Sequence, residues 1–334
     1  MNFLLSVSLF FISIFTACAP SSPPPPSADP ASPTGWETQE SGVQSSLGGL
    51  FFLDDRRGWA SGNKGVILHT EDGGKRWSVQ ETGTQGLLVS IFFTDPQNGW
   101  AIGEKGTILH TSDGGKGWTP QASGQKSDLM DIFFRDKTHG WIVGTKGLLL
   151  STEDGGDHWT AAVVRARLTL TSIFFADLKR GWISGDGGYL SHTEDGGATW
   201  VRQESGTNKD LHQIFFATPQ AGWAVGGNGM IVHTTDGGKS WAQQTSGVPT
   251  LLTGLFFVDE QVGWAVGAAG TIVHTQDGGA TWRQQASGTI QFLINVAFVN
   301  PEVGWIAGVK GAILHTRKGG EPPAMEAGVS SKKE

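Results

Sequence analysis

Cysteine is almost absent from this chain of 334 residues. Its one copy is Cys18, so neither an intramolecular disulfide framework nor a cysteine-built zinc or iron–sulfur site can form. Charge is scarce too: charged residues make up 16% of the chain, too few for a disordered polyelectrolyte or a coiled coil. The net charge of −7 argues against general nucleic-acid binding. There is one tyrosine, Tyr189, and no stretch carries helical periodicity. An apolar run from Phe3 to Ala17 is shorter than the roughly 20 residues a membrane-spanning helix needs. Residues 1–17 hold no charged side chain and read as a processed export signal.

What is abundant is glycine, 50 residues, and tryptophan, 14 residues. The pair Gly-Trp recurs at Trp59, Trp100, Trp141, Trp182, Trp223, Trp264 and Trp305, each 41 residues after the last. A second series, Trp77, Trp118, Trp159, Trp200, Trp241 and Trp282, keeps the same period, and its register extends back to Trp36. Each repeat reads as four short strands: an apolar one ending in Phe-Phe, as in Ile91-Phe92-Phe93, then segments beginning at Trp100, Thr107 and Trp118. Turn chemistry separates them. Asp54, Asp95, Asp136, Asp177 and Asp259 open the first turn, where a short carboxylate can bond its own backbone. Gly-x-x-Gly forms the second, where glycine permits positive φ. Seven such units imply an all-β, seven-bladed propeller over residues 35–320, each blade burying its faces against its neighbours. The seventh repeat runs into Pro322-Pro323 without a fourth-strand tryptophan. Trp36-Glu-Thr-Gln-Glu-Ser-Gly42 matches Trp77-Ser-Val-Gln-Glu-Thr-Gly83, so an N-terminal strand is expected to complete the last blade.

Flanking segments have other compositions. Residues 19–34, rich in Pro and Ser, cannot bury a core and should be an extended tether, reaching some 50 Å at about 3.1 Å per residue. The tail, 321–334, is expected to be disordered. Phe15-Thr16-Ala17-Cys18 resembles the lipobox of bacterial lipoproteins. That resemblance implies a lipid on Cys18 and an exported, membrane-anchored protein on the periplasmic, extracytoplasmic or thylakoid lumenal side.

Thr-x-Asp-Gly-Gly-x-x-Trp stands between third and fourth strands in six copies, with Asp72, Asp113, Asp154, Asp195, Asp236 and Asp277 at its centre. It resembles the Asp-box of sialidase-type propellers. One Asp per blade, spread around a ring, cannot converge on one ion, so these carboxylates are expected to cap their own turns. The column His69, His110, His192, His233, His274 and His315 is read the same way, as satisfied strand histidines, and the Phe-Phe and Trp columns as blade-to-blade packing. Sialidase chemistry would need a Tyr nucleophile with a Glu partner and three Arg. Tyr189 instead fills a strand-start column shared with Val66, Thr107, Leu148, Met230, Thr271 and Ala312. No catalytic residue, metal or cofactor is expected.

The complete repeat, Gly-Trp-Ala-Val-Gly-x-x-Gly-x-Ile-x-His-Thr-x-Asp-Gly-Gly-x-x-Trp, resembles the propeller family of photosystem II stability and assembly factors. The resemblance implies a seven-bladed, often lipid-anchored, chaperone-like scaffold for a newly made reaction-centre subunit.

Seven internal copies also show which residues depart from the packing pattern. The third position of the second turn is Lys64, Lys105, Lys146 and Lys310, on consecutive blades seven, one, two and three once the ring closes. The other three copies carry Gly187, Asn228 and Ala269. On the inter-blade links, Lys126 stands nearby, Arg165 replaces a glycine found in the other six copies, and Arg167 follows. These residues form a basic arc on an acidic protein, suited to a membrane-protein segment or acidic peptide, with Glu104, Asp128 and Asp131 offsetting part of the charge. The expectation is a monomeric, non-enzymatic binding scaffold. An Asp-box glycoside hydrolase or carbohydrate-binding propeller is the alternative, and it would require paired carboxylates in a pocket.

Overall fold

A computed structural model describes residues 34–164 and 166–322. Seven antiparallel sheets of four strands are arranged as blades around a central channel, with the first strand of each repeat innermost. Blade 1 has strands Leu47–Phe52, Gly58–Gly62, Ile67–Thr70 and Ser78–Gln80. Blade 7 combines Leu293–Phe298, Gly304–Gly308 and Ile313–Gly320 with the N-terminal strand Gly35–Gln39. That strand pairs antiparallel to the chain's last one, Gly35 opposite Gly320 and Gln39 opposite Ile313, so the expected closure is what the fold shows. No sheet edge is left open at the join.

The blades are held together by the tryptophan columns. The second-strand Trp of each blade stacks on the last Phe of the next blade's inner strand, as with Trp59 on Phe93 at 3.7 Å, and the ring closes with Trp305 on Phe52 at 3.6 Å. Its indole N–H donates to a glycine carbonyl in the loop after the third strand of that next blade, an Asp-box glycine in six of the seven, as with Trp59 to Gly114 and Trp305 to Gly73, both at 3.1 Å. Burying an aromatic ring and pairing it in this way is worth about 0.5–1.5 kcal/mol beyond the area removed from water. The stack repeats at all seven blade junctions.

Each inner strand has a register shift after its first residue, such as Leu47/Gly49 and Leu129/Asp131. The bulge re-aims the second and third residues, which is why both positions line the channel. At the other end of these strands, Phe51, Phe92, Phe133, Phe174, Phe215 and Phe256 pack in a tilted series, with adjacent centroids 5.0 Å apart at Phe51–Phe92 and 5.4 Å at Phe92–Phe133. Ala297 takes this place in blade 7. The channel is thus open at one end, where polar and apolar side chains both line it, and closed in by phenylalanine at the other. The proposed signal, the tether with Cys18 and the tail from Pro323 onward lie outside the described residues.

Candidate functional site

The connections sort onto two ends of the ring. At one end each second turn rests on an inter-blade link, with Asn63 N donating to Ser46 O at 3.0 Å and Gly65 N to Gly86 O at 2.7 Å. At the opposite end the Asp-box loop rests on the first turn, Gly73 N donating to Arg56 O at 2.8 Å. The channel opens among the second turns, and we call that end the channel face.

Lys64, Lys105, Lys146 and Lys310 stand on this face, all exposed. Each occupies the middle of a short 3-10 turn with φ between 56° and 62°. The glycine that follows also has positive φ, as expected, but the lysine position does too, where an L-residue costs roughly 1 kcal/mol or more. Gly187 shows the unstrained choice for the same turn. Lys126 and Arg167 are exposed on the links into blades 3 and 4. Arg165 lies outside the described residues, and its six sister glycines all have φ between 65° and 75°. Among the described residues, Lys105 is the one member of the arc in an ion pair, 3.9 Å from Glu104, and its backbone N–H donates to Asp128 at 2.9 Å. Of the acids expected to offset the arc, Glu104 therefore meets the Lys105 ammonium, and Asp128 holds the backbone of its turn.

Asp131 does not. The bulge of its strand turns it into the channel, where Oδ1 accepts from Ser90 Oγ at 3.1 Å and Ile132 N at 2.9 Å, and Oδ2 from Ser172 Oγ at 2.8 Å and Ile173 N at 3.0 Å. One carboxylate thereby ties three blades together. Burial pushes its pKa up to about 6 against the pull of those four bonds. Above it the channel forms a cavity of about 310 Å³. Val89, Met130, Phe292 and Ile294 give it apolar walls, and Thr171, His212, Asp186 and Asp210 a polar side. Asp186 accepts from Thr169 N at 3.2 Å and Asp210 from Gly187 N at 2.7 Å. Burial, and after it the Asp210 charge, raise the Asp186 pKa.

The Asp-box carboxylates hold their own loops. Asp72 Oδ1 accepts from Thr70 Oγ1 at 3.0 Å and Arg76 N at 2.9 Å, and the other five copies repeat the pattern. Hydrogen bonds from Thr199 side chain and backbone lower Asp195 to about 2. The histidine column departs from expectation. These rings stack on the second-strand tryptophans, His233 on Trp223 at 4.6 Å, and Nε2 of His192, His274 and His315 is buried with no protein hydrogen-bond partner. Burial lowers their pKa values and favours the neutral ring, although His274 Nδ1 lies 3.4 Å from Gln285 Nε2 and 3.5 Å from Glu321 Oε1. Tyr189 is 7% exposed, packed in the core beneath Arg202 at 4.3 Å.

The family model described as photosynthesis system II assembly factor YCF48 matches residues 28–122, 117–208 and 247–324. The chain belongs to this family. No curated protein matches it in sequence. Among solved structures, one titled YCF48 bound to D1 peptide is 23% identical, with TM-score 0.73 over 87% of this chain and 99% of its own. YCF48 from Cyanidioschyzon merolae is 20% identical, with TM-score 0.71 over 84% of this chain and 98% of its own. A GH74 enzyme from Niastella koreensis shares the fold at 14% identity and TM-score 0.67, over 84% of this chain and 53% of its own.

In this family member the basic residues singled out from the sequence stand around the channel mouth, whereas the acidic residues inside the channel were not singled out as a group. Asp131 is the one charged residue in a column otherwise holding Gly49, Ser90, Ser172, Gln213, Gly254 and Asn295, a signal that was present. Asp186 and Asp210 break no motif and become neighbours only when blades 4 and 5 meet.

Proposed function

We propose that this chain is a non-enzymatic, membrane-tethered scaffold that holds an acidic segment of a partner protein on its channel face. The observation that carries this reading is the placement of four lysines, on four consecutive blades, in left-handed turns around the mouth of one channel. The same left-handed turn is built with Gly187, Asn228 and Ala269 in the other three blades, so the turn itself does not call for lysine, and lysine gathers on one side of the ring only. A related propeller solved with a D1 peptide supports a peptide as the kind of partner. The molecule is proposed to be exported and anchored through lipidated Cys18, acting as a monomer on the extracytoplasmic side.

The test is capture from native membranes by the full chain, wild type beside a variant with Lys64, Lys105, Lys146 and Lys310 all changed to Glu. A membrane subunit retained by the wild type and lost at least about tenfold by the variant, a drop worth about 1.4 kcal/mol, is the expected result. Equal retention by both forms, or none by either, overturns the basic-face reading.

A second reading, a carbohydrate-cleaving propeller, is favoured by one observation: Asp131 and Asp186 line the same cavity with raised pKa values. Both oxygens of Asp131 are already engaged by four donors, which leaves it poorly placed to shuttle a proton. Glycan hydrolysis that disappears with Asp186→Asn would establish the enzyme instead.

A further inference from the structure

The channel face is not uniform beyond its charges. In the link and inner strand entering blade 7, Ile290, Phe292 and Ile294 follow one another at alternate positions. Ile290 is 86% exposed on the link, whereas Phe292 and Ile294 line the cavity itself. No other blade is apolar at all three positions: blade 1 has Gln44, Ser46 and Gly48 there, and blade 4 has Arg167, Thr169 and Thr171. An apolar track therefore runs from open solvent down one wall of the channel, facing Met130 and Val89 within it. This track adjoins the basic arc directly, because Val309 N donates to Phe292 O at 2.9 Å and Lys310 is the next residue. The carboxylates of Asp186 and Asp210 lie on blades 4 and 5, away from blade 7, and repel an acidic ligand toward the lysine side.

Resting on the reading above, we infer that the channel of blade 7 is the anchor of that site: it takes one bulky apolar side chain of the bound segment, next to carboxylates held by Lys310 and Lys64. Charge complementarity selects an acidic segment, and the track selects its register. Lysines alone would attract any acidic chain and hold it weakly, since exposed ion pairs contribute little. A Leu- or Phe-sized side chain moved from water into the channel supplies the larger share, enough to tighten binding by about tenfold or more.

The experiment is selection of a displayed random-heptapeptide library on the full chain, with the best enriched sequence then made as a free fluorescent peptide. Two variants borrow residues from sister blades so that the fold is kept: Ile290→Gln, as at Gln44 and Gln85, and Ile294→Thr, as at Thr171 and Thr253. The expected outcome is enrichment of Leu, Ile, Phe or Trp beside Asp or Glu, with the free peptide binding the double variant about tenfold less tightly at unchanged melting temperature. Enriched acidic peptides without an apolar residue, or equal binding to the double variant, would overturn the anchor and leave the basic face standing. Enrichment no greater than on the heat-denatured chain would overturn both.

Discussion

Asp131 carries more structural duty than any other charged side chain of the inner strands, because its two oxygens receive donors from blades 2, 3 and 4. An amide in its place must turn an NH2 toward one of those donors, leaving a buried clash of like groups. Asp131→Asn is therefore expected to destabilise the ring by about 1–3 kcal/mol. The pH dependence has a definite sign. Its folded pKa of about 6 lies above the ordinary 3.8, so its stabilising contribution is complete below 3.8 and is lost as pH rises through 6. The deficit of Asp131→Asn should thus be larger at pH 5 than at pH 7 in denaturant titrations, and a constant deficit would contradict the assignment. The residue was visible in sequence as the odd member of its column. Its role was not, because a one-residue bulge decides whether that position faces the channel or the neighbouring blade.

Among elements, the strand Gly35–Gln39 closes the ring across nearly the whole length of the chain. Trp36 is 3% exposed, meets Phe298 edge-on at 5.9 Å and donates its indole N–H to Gln285 at 3.1 Å. Gln39 continues the seam by donating to Gly73 of blade 1 at 2.8 Å. Truncating a core aromatic costs about 3–5 kcal/mol, so Trp36→Ala should lower the melting temperature of the entire propeller in one transition. A loss confined to a few signals of blade 7 would show that the ring does not unfold as a unit. This element was fully legible: the spacing of Trp36, the matching Gln-Glu-x-Gly segment and the missing last tryptophan specify one partner only. The 3-10 turns were less so. Their glycines announced a positive φ, but the lysine beside each shares it, since the second turn needs two successive left-handed residues and only one is reserved for glycine.

On the scale of the molecule, both chain ends leave from one side. Gly35 pairs with Gly320, and Gly319 N donates to Glu302 O on a first turn, which places the exits of the N-terminal and C-terminal segments at the Asp-box face. The lysine arc and channel mouth are at the opposite end. With Cys18 lipidated as proposed, the tether would join the propeller at its Asp-box end, opposite the proposed binding face. Cys18→Ser is expected to move the exported protein from the membrane fraction to the soluble one, read by fractionation and immunoblot. Equal membrane association would rule out the lipid as its anchor.

Seven repeats of constant length, a tryptophan at each blade-to-blade contact and a displaced fourth strand determined the architecture in the sequence itself. Each of these acts through local strand pairing or nearest-neighbour packing, which periodicity records directly. The meeting of Asp186 with Asp210, the burial of Asp131 and the continuity of Ile290, Phe292 and Ile294 with Lys310 belong to the tertiary structure alone. They depend on bulges that re-aim side chains and on closure of the ring, which brings residues of different repeats around one cavity.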